Sequence, residues 1–160
     1  MSFAEDTLNH IRDVKKVLSD FSRELDRRGK WHDYSKFSDE EQKVFSNILD
    51  GKKTAKYGTP EYEEVKRKLA PALEHHYKEN RHHPEHFANG ISGMTLIDLM
   101  EMLADWKAAT KRHKDDKIEN SIEINSKKYN IDNQLKQVLV NTVKEIQWLT
   151  RQDKTTKKFQ

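Results

Sequence analysis

The stretch Thr95-Leu96-Ile97-Asp98-Leu99-Met100-Glu101-Met102-Leu103-Ala104-Asp105-Trp106 decides the fold class. Thr95 with Asp98 three residues on reads as a helix cap. Behind it, apolar side chains point in nearly every direction around a helix continuing to about residue 113. A helix of that kind sits at the centre of a bundle. Downstream, 114–130 reads as irregular and polar. A last helix over about 131–150 carries Ile131, Leu135, Val138, Leu139, Val143 and Ile146 at steps of three and four. Upstream, 80–94 contains Pro84, Gly90 and Gly93 and reads as loop with a short turn. Thr59-Pro60 opens a helix whose apolar face is Tyr62, Val65, Leu69 and Leu73, with Pro71 as a kink or a second start. Ser38-Asp39-Glu40-Glu41 reads as a capping box for a helix burying Val44, Phe45, Ile48 and Leu49, with Gly51 as its stop. The first segment, about 3–28, repeats Leu8, Ile11, Val14, Leu18, Phe21 and Leu25 and stops at Gly29. The fold expected is all-α: one helical bundle of five to seven helices over 1–150, followed by a flexible polar tail over 151–160.

Composition narrows the function. With 160 residues the chain is one domain. It is 34% hydrophobic and 36% charged, and the apolar residues fall at helical spacing, which argues against disorder. There is no cysteine, hence no disulfide, thiolate nucleophile or Cys-ligated zinc. The longest apolar run is three residues, far short of the roughly 20 of a membrane span. With no signal-peptide pattern, the expected location is the cytoplasm. The 30 basic and 27 acidic residues give a net charge of +3, with the signs interleaved as on a solvated helical surface. The basic excess gathers at Lys52, Lys53 and Lys56, at Lys111, Arg112 and Lys114, and at Lys154, Lys157 and Lys158. Neither a membrane nor nucleic acid is the expected partner.

The histidines carry the chemical message. There are eight, and five of them (75, 76, 82, 83 and 86) lie within twelve residues. Neutral imidazole is the commonest metal ligand near pH 7. At 100° per residue, His10 points with Val14, Val17 and Phe21 toward the inside. His76 is in phase with Val65, Leu69 and Ala72, and His75 stands at the edge of that face, so either is a candidate ligand. Asp98, Glu101 and Asp105 form one polar stripe on the otherwise apolar central helix. An inward carboxylate left unpaired costs several kcal/mol, so the stripe meets solvent or a buried cation. His10, the His32-Asp33 pair, His76 with His82-His83, and Asp105 are therefore the groups a metal would gather. Each also has a plainer reading: His10 a hydrogen-bonded core residue, His32-Asp33 a helix cap, the stripe a solvated face, Lys36 a surface lysine. His86 and His113 read as surface residues.

An early helical His, an adjacent His-Asp, further histidines and a late helical Asp resemble the HD-domain superfamily of all-helical, metal-dependent phosphohydrolases. The likeness covers roughly residues 5–110. It is closer to an uncharacterised branch of bacteria and bacteriophages, with strings similar to His32-Asp-x-Ser-Lys-Phe37, His75-His76-(x)3-Asn80-x-His82-His83-Pro84-Glu85 and Glu101-Met-Leu-Ala-Asp105-Trp106. The resemblance implies His10, His32, Asp33 and Asp105 as metal ligands. His76, His82 and His83 match the extra histidines of members holding two or more metals. One or two divalent ions are implied (Mn, Fe, Co, Ni, Zn or Mg). The implied activity is hydrolysis of a phosphate ester or anhydride of a nucleotide or similar small molecule, by attack of metal-bound hydroxide. Asp33 would bridge two metals, Lys36 and Arg81 would hold phosphate oxygens, and Glu101 would orient the ligands from behind. The Gly-Tyr-Pro of the cyclic-dinucleotide branch and the Glu-Asp pair of the alarmone branch are absent, so the substrate stays open, as does the oligomeric state. For a phage protein the location is the host cytoplasm. The alternatives are a catalytically silent metal- or nucleotide-binding protein of the same fold, and a basic helical module for nucleic acid or protein.

Overall fold

The computed structural model describes residues 2–49, 60–110 and 117–156. Among them are six α-helices: α1 (Phe3–Trp31), α2 (Asp39–Leu49), α3 (Pro60–Glu79), α4 (Leu96–Ala109), α5 (Ile118–Lys128) and α6 (Asn133–Thr156). Three 3₁₀ turns, Tyr34–Phe37, Pro84–His86 and Gly90–Gly93, join them, and the described residues hold no strand. The all-α expectation holds. No helix among the described residues is long and apolar enough to cross a membrane.

The core lies among α4, α5 and α6. Leu103, Ile118, Ile122, Ile131, Leu139 and Val143 are buried together, with Trp106 and Tyr129 stacked beside them. α4 separates this core from the polar cluster described below. Leu103 and Trp106 face the core, while Asp98, Glu101 and Asp105 face the other way. Leu96 and Met100 lie on a third face and are exposed, so α4 is not enclosed all round as its composition suggested. Its cap is as expected: Thr95 Oγ1 accepts from the Asp98 amide, and Asp98 Oδ2 accepts from the Thr95 amide.

Several boundaries differ from the sequence reading. α1 passes through Gly29 and ends at Trp31. A helical glycine costs about 1 kcal/mol, and the contacts of Arg28 with Asp98 and Glu101 hold this last turn in place. The chain instead reverses at Asp33, whose φ of 57° is left-handed, a conformation that Asp tolerates better than most residues. α3 continues through Pro71 without a second start, giving up one backbone hydrogen bond while its packing against α2 is kept. The stretch read as irregular, 114–130, contains α5. Ile118, Ile122 and Ser126 recur at four-residue spacing and are buried, which supplies the helical face that the polar composition hid. α6 extends to Thr156, into the segment expected to be a flexible tail. Its start is capped by Asp132 Oδ1, which accepts from the amides of Gln134 and Leu135. The lysine-rich 51–58 with Gly51, and 111–116 with His113, lie outside the described residues.

Candidate metal centre

Six of the seven proposed ligands converge. His32 is the residue just after α1, Asp33 occupies the left-handed bend, His76 sits near the end of α3, His82 and His83 follow in the next loop, and Asp105 comes from α4. The bend at Asp33 turns its carboxylate into the gap between α1, α3 and α4. Asp33 Oδ1 lies 3.2 Å from His76 Nε2 and 3.4 Å from His82 Nε2. Asp33 Oδ2 lies 3.5 Å from His32 Nε2, which is 3.6 Å from Asp105 Oδ1. His76 Nε2 and His83 Nε2 are 3.0 Å apart. Asp33, His76, His82 and His83 form one group able to hold a metal ion.

The far side of each ring explains why these nitrogens face inward. Glu101 Oε1 is 3.0 Å from His32 Nδ1 and 3.2 Å from His82 Nδ1. Glu101 Oε2 accepts from Arg28. Glu41 does the same work from α2: Oε1 meets His75 Nδ1 and Oε2 meets His76 Nδ1, each at 2.8 Å. A carboxylate on Nδ1 fixes the tautomer and leaves Nε2 with its lone pair toward the gap. His76 is thus the inward member of the 75–76 pair, and His75 holds Glu41 from the edge. Ser35 accepts from the Asn80 amide, which ties the His32–Phe37 string to the end of α3.

The fit to a cation can be judged from two buried atoms. Asp33 Oδ1 and His82 Nε2 are buried 3.4 Å apart, and neither makes a hydrogen bond of good geometry. Orphaned buried polar atoms are costly, and two of them facing each other call for a shared partner. Donors that share a divalent ion at about 2.1 Å stand roughly 3.0–3.4 Å apart, which matches the separations around Asp33 Oδ1. Charge points the same way. Asp105 and Glu101 hold the His32 imidazole up at about 10. Burial opposes protonation of His82, yet Asp33 and Glu101 outweigh it and raise its pKa. Burial also pushes the Asp33 carboxyl up, but His76, His82 and Lys36 leave it well below the usual range. The carboxylates therefore favour positive charge in the gap, which imidazolium supplies here and which a divalent ion could supply in its place. His83 differs: burial, then the neighbouring His82 and His76, push it down to about 4, so its ring is neutral and ready to ligate. Imidazole with carboxylate suits the middle and late first-row metals.

Other expected residues fall elsewhere. His10 is exposed on α1. Twenty-two helical residues set it about 33 Å from His32 along one unbroken helix, so it is not brought to the cluster. Arg81 does not reach for a phosphate. Its guanidinium grips both oxygens of Asp98 at 3.1 and 2.9 Å and lies over the Phe87 ring. Asp98 is fully buried between Arg81 and Arg28. Burial alone would raise its pKa, but Arg81, Thr95 and Arg28 hold it at about 2. Asp98 thus anchors the loop bearing His82 and His83 to α1 and α4. Lys36 is at the mouth of the site, paired with Asp33 and partly exposed. It borders a cavity of about 610 Å³ with Asp33, Phe37, His76, His83 and Asp105. A second, more apolar cavity of about 560 Å³, among Leu25, Met100, Leu103 and Ile146, also reaches His32 and Asp105.

Glu41 is the residue of the cluster that the sequence does not reveal, because Ser38 with Glu41 reads as a cap. Half of that reading holds, since the Glu41 amide donates to Ser38 Oγ. The side chain turns inward instead of returning to the cap and is fully buried. The available signal was its phase: 41, 44, 45 and 48 share one face of α2. His86, read as a surface residue, is half-buried with Nδ1 3.0 Å from the Tyr77 carbonyl.

The fold and site define an all-helical protein with a buried cluster of histidines and carboxylates able to hold a metal ion. The chain belongs to a family described only as a family of unknown function, DUF5662, whose model matches residues 1–145. No curated protein and no solved structure matches it.

Proposed function

We propose that the chain is a metal-dependent phosphohydrolase acting on a nucleotide or a similarly small phosphorylated molecule. The observation that carries this reading is the pair of buried atoms Asp33 Oδ1 and His82 Nε2, 3.4 Å apart and without a well-formed hydrogen bond, set among imidazoles held from behind by Glu101 and Glu41. The residues divide into two donor sets that share Asp33. His76 and His82 face Oδ1, with His83 against His76, while His32 faces Oδ2 and meets Asp105 on its other side. That division favours two ions over one. A divalent ion bound there lowers the pKa of water and takes up charge on a phosphoryl oxygen.

The chain's own residues supply the rest. With Asp33 engaged as a ligand, Lys36, now paired with it, would be free to hold a phosphate oxygen. Glu101 keeps His32 and His82, and Glu41 keeps His76, in their ligating tautomer. The cavity beside Lys36 receives the phosphate, and the apolar cavity beyond Asp105 receives an uncharged portion of the substrate. The likeness to HD-domain phosphohydrolases supports the same reading, without its first histidine.

The test begins with metal content by plasma mass spectrometry on untagged protein, with His32→Ala and Asp105→Ala alongside. One or two equivalents in the wild type, lost in the variants, followed by turnover in a nucleotide phosphatase screen with Mn, Co and Ni, is the expected result. A wild type that holds no metal and takes none up overturns it. Metal without turnover of any phosphate ester or anhydride leaves the metal centre and removes the hydrolase.

A further inference from the structure

Among the described residues, none covers the N-terminal part of α1. Phe3, Leu8, Ile11, Val14, Val17, Leu18 and Phe21 are 43–87% exposed. α1 contains no fully buried residue, and the described part of the bundle covers its last turns, at Glu24, Leu25 and Arg28. The spacing Ala4, Thr7, Ile11, Val14, Leu18, Phe21, Leu25 alternates strictly between three and four. That is a heptad seam, and it calls for another helix with the same repeat lying along it. We infer that α1 is a dimerisation helix, and that the exposed seam packs against α1 of a second copy of this chain.

Three observations select a second copy over other occupants. The first is the repeat itself, since a helix of equal length and equal 3.5-residue period meets this seam along its whole exposed run. The second is area. Half-exposed aliphatic and aromatic side chains leave roughly 100 Å² each, so the seven present on the order of 700 Å² per copy. A stable protein interface needs about 800 Å² per partner, and two copies meeting on one self-complementary patch come close to that. The third is charge. α1 carries seven basic and six acidic residues, mixed along its length. Such a helix has no preference for an anionic membrane or nucleic acid, and its signs can complement each other across a two-fold axis. The inference does not depend on the proposed hydrolase activity.

The test is the mass of the full chain by sedimentation equilibrium and light scattering across about 1–100 μM. The wild type is expected at twice the chain mass at the upper end. Leu18→Glu, and separately Ile11→Glu, place a charge in the seam and should weaken association at least a hundredfold. Lys16→Glu, on the opposite face of α1, should leave it unchanged. All of these positions are exposed, so far-UV circular dichroism should match the wild type. Hydrogen exchange provides a check free of variants: protection at residues 8–21 should rise with protein concentration. A wild type that stays monomeric at 100 μM overturns the inference. So does a dimer that persists in both glutamate variants, or one whose concentration-dependent protection lies outside α1.

Discussion

The two ends of α1 share one helix and one periodic pattern yet lie in opposite surroundings. At the C-terminal end, Arg28 bridges Asp98 and Glu101, and His32 enters a cluster with Asp33 and Asp105. At the N-terminal end, His10 stands in solvent beside Ile11, Val14 and Leu18, all exposed. By phase, His10 points with the apolar face. Periodicity identifies which face of a helix is apolar; it does not say whether the bundle covers that face. A histidine becomes a ligand candidate only when several elements converge on it, and only the last turn of α1 meets α4 and the loop after α3.

The sharpest way to break this contrast is metal content. His82→Ala and Asp33→Ala should each reduce bound metal from stoichiometric to about background, whereas His10→Ala should leave it unchanged. If His10→Ala loses metal as they do, α1 does not carry His10 away from the site.

A smaller effect concerns how the converging end is held. Asp98→Ala leaves Arg28 and Arg81 without their buried partner and should cost about 3 kcal/mol in urea unfolding. The same carboxylate gives a pH signature. Its folded pKa of about 2 lies below the ordinary 3.8. Its contribution is therefore complete above about pH 4 and is lost as pH falls toward 2. With metal chelated, stability should drop across that window in the wild type and drop less in Asp98→Ala.

The two orienting glutamates sharpen the comparison within the site. Glu41→Gln and Glu101→Gln should each weaken metal affinity by about 10–100-fold, read by calorimetric titration with Mn or Co. A larger loss for Glu101 fits its contact with ligands of both donor sets. No loss for Glu41→Gln would show that His76 keeps its orientation without it.

The smallest effect is at the free end of α1. In a Leu18→Glu background, which removes association, Ile11→Ala should change unfolding free energy by no more than about 0.5 kcal/mol. Leu103→Ala in the same background should cost about 2–5 kcal/mol. Similar costs at the two positions would mean that the bundle covers Ile11 after all.

Much of the site was legible because its residues come as short strings. His32-Asp33, His82-His83 and the Glu101–Asp105 pair each place two useful groups on one turn of chain, and His76 lies on the predicted inner face of its helix. Glu41 was not legible, because Ser38 with Glu41 satisfies a cap equally well, and only the packing of α2 against His75 and His76 pulls that carboxylate inward. Arg81 was misjudged because a guanidinium near a phosphate site has the same sequence appearance as one that locks a loop to a buried Asp98. α5 was hidden because a helix that buries only one narrow stripe reads as polar chain until α4 and α6 supply the surfaces for Ile118 and Ile122.

By itself, then, the sequence determined the helical class, most helix positions, and which residue types a metal would find. Those properties are local: hydrophobic period, caps, and ligand pairs adjacent along the chain. Only the tertiary structure decided which histidines meet, that Glu41 stands behind two of them, and that the other described residues leave most of the α1 seam bare. Those properties depend on which elements lie across from one another. A residue's phase sets its direction from its own helix axis, and only the neighbouring elements set what it meets there.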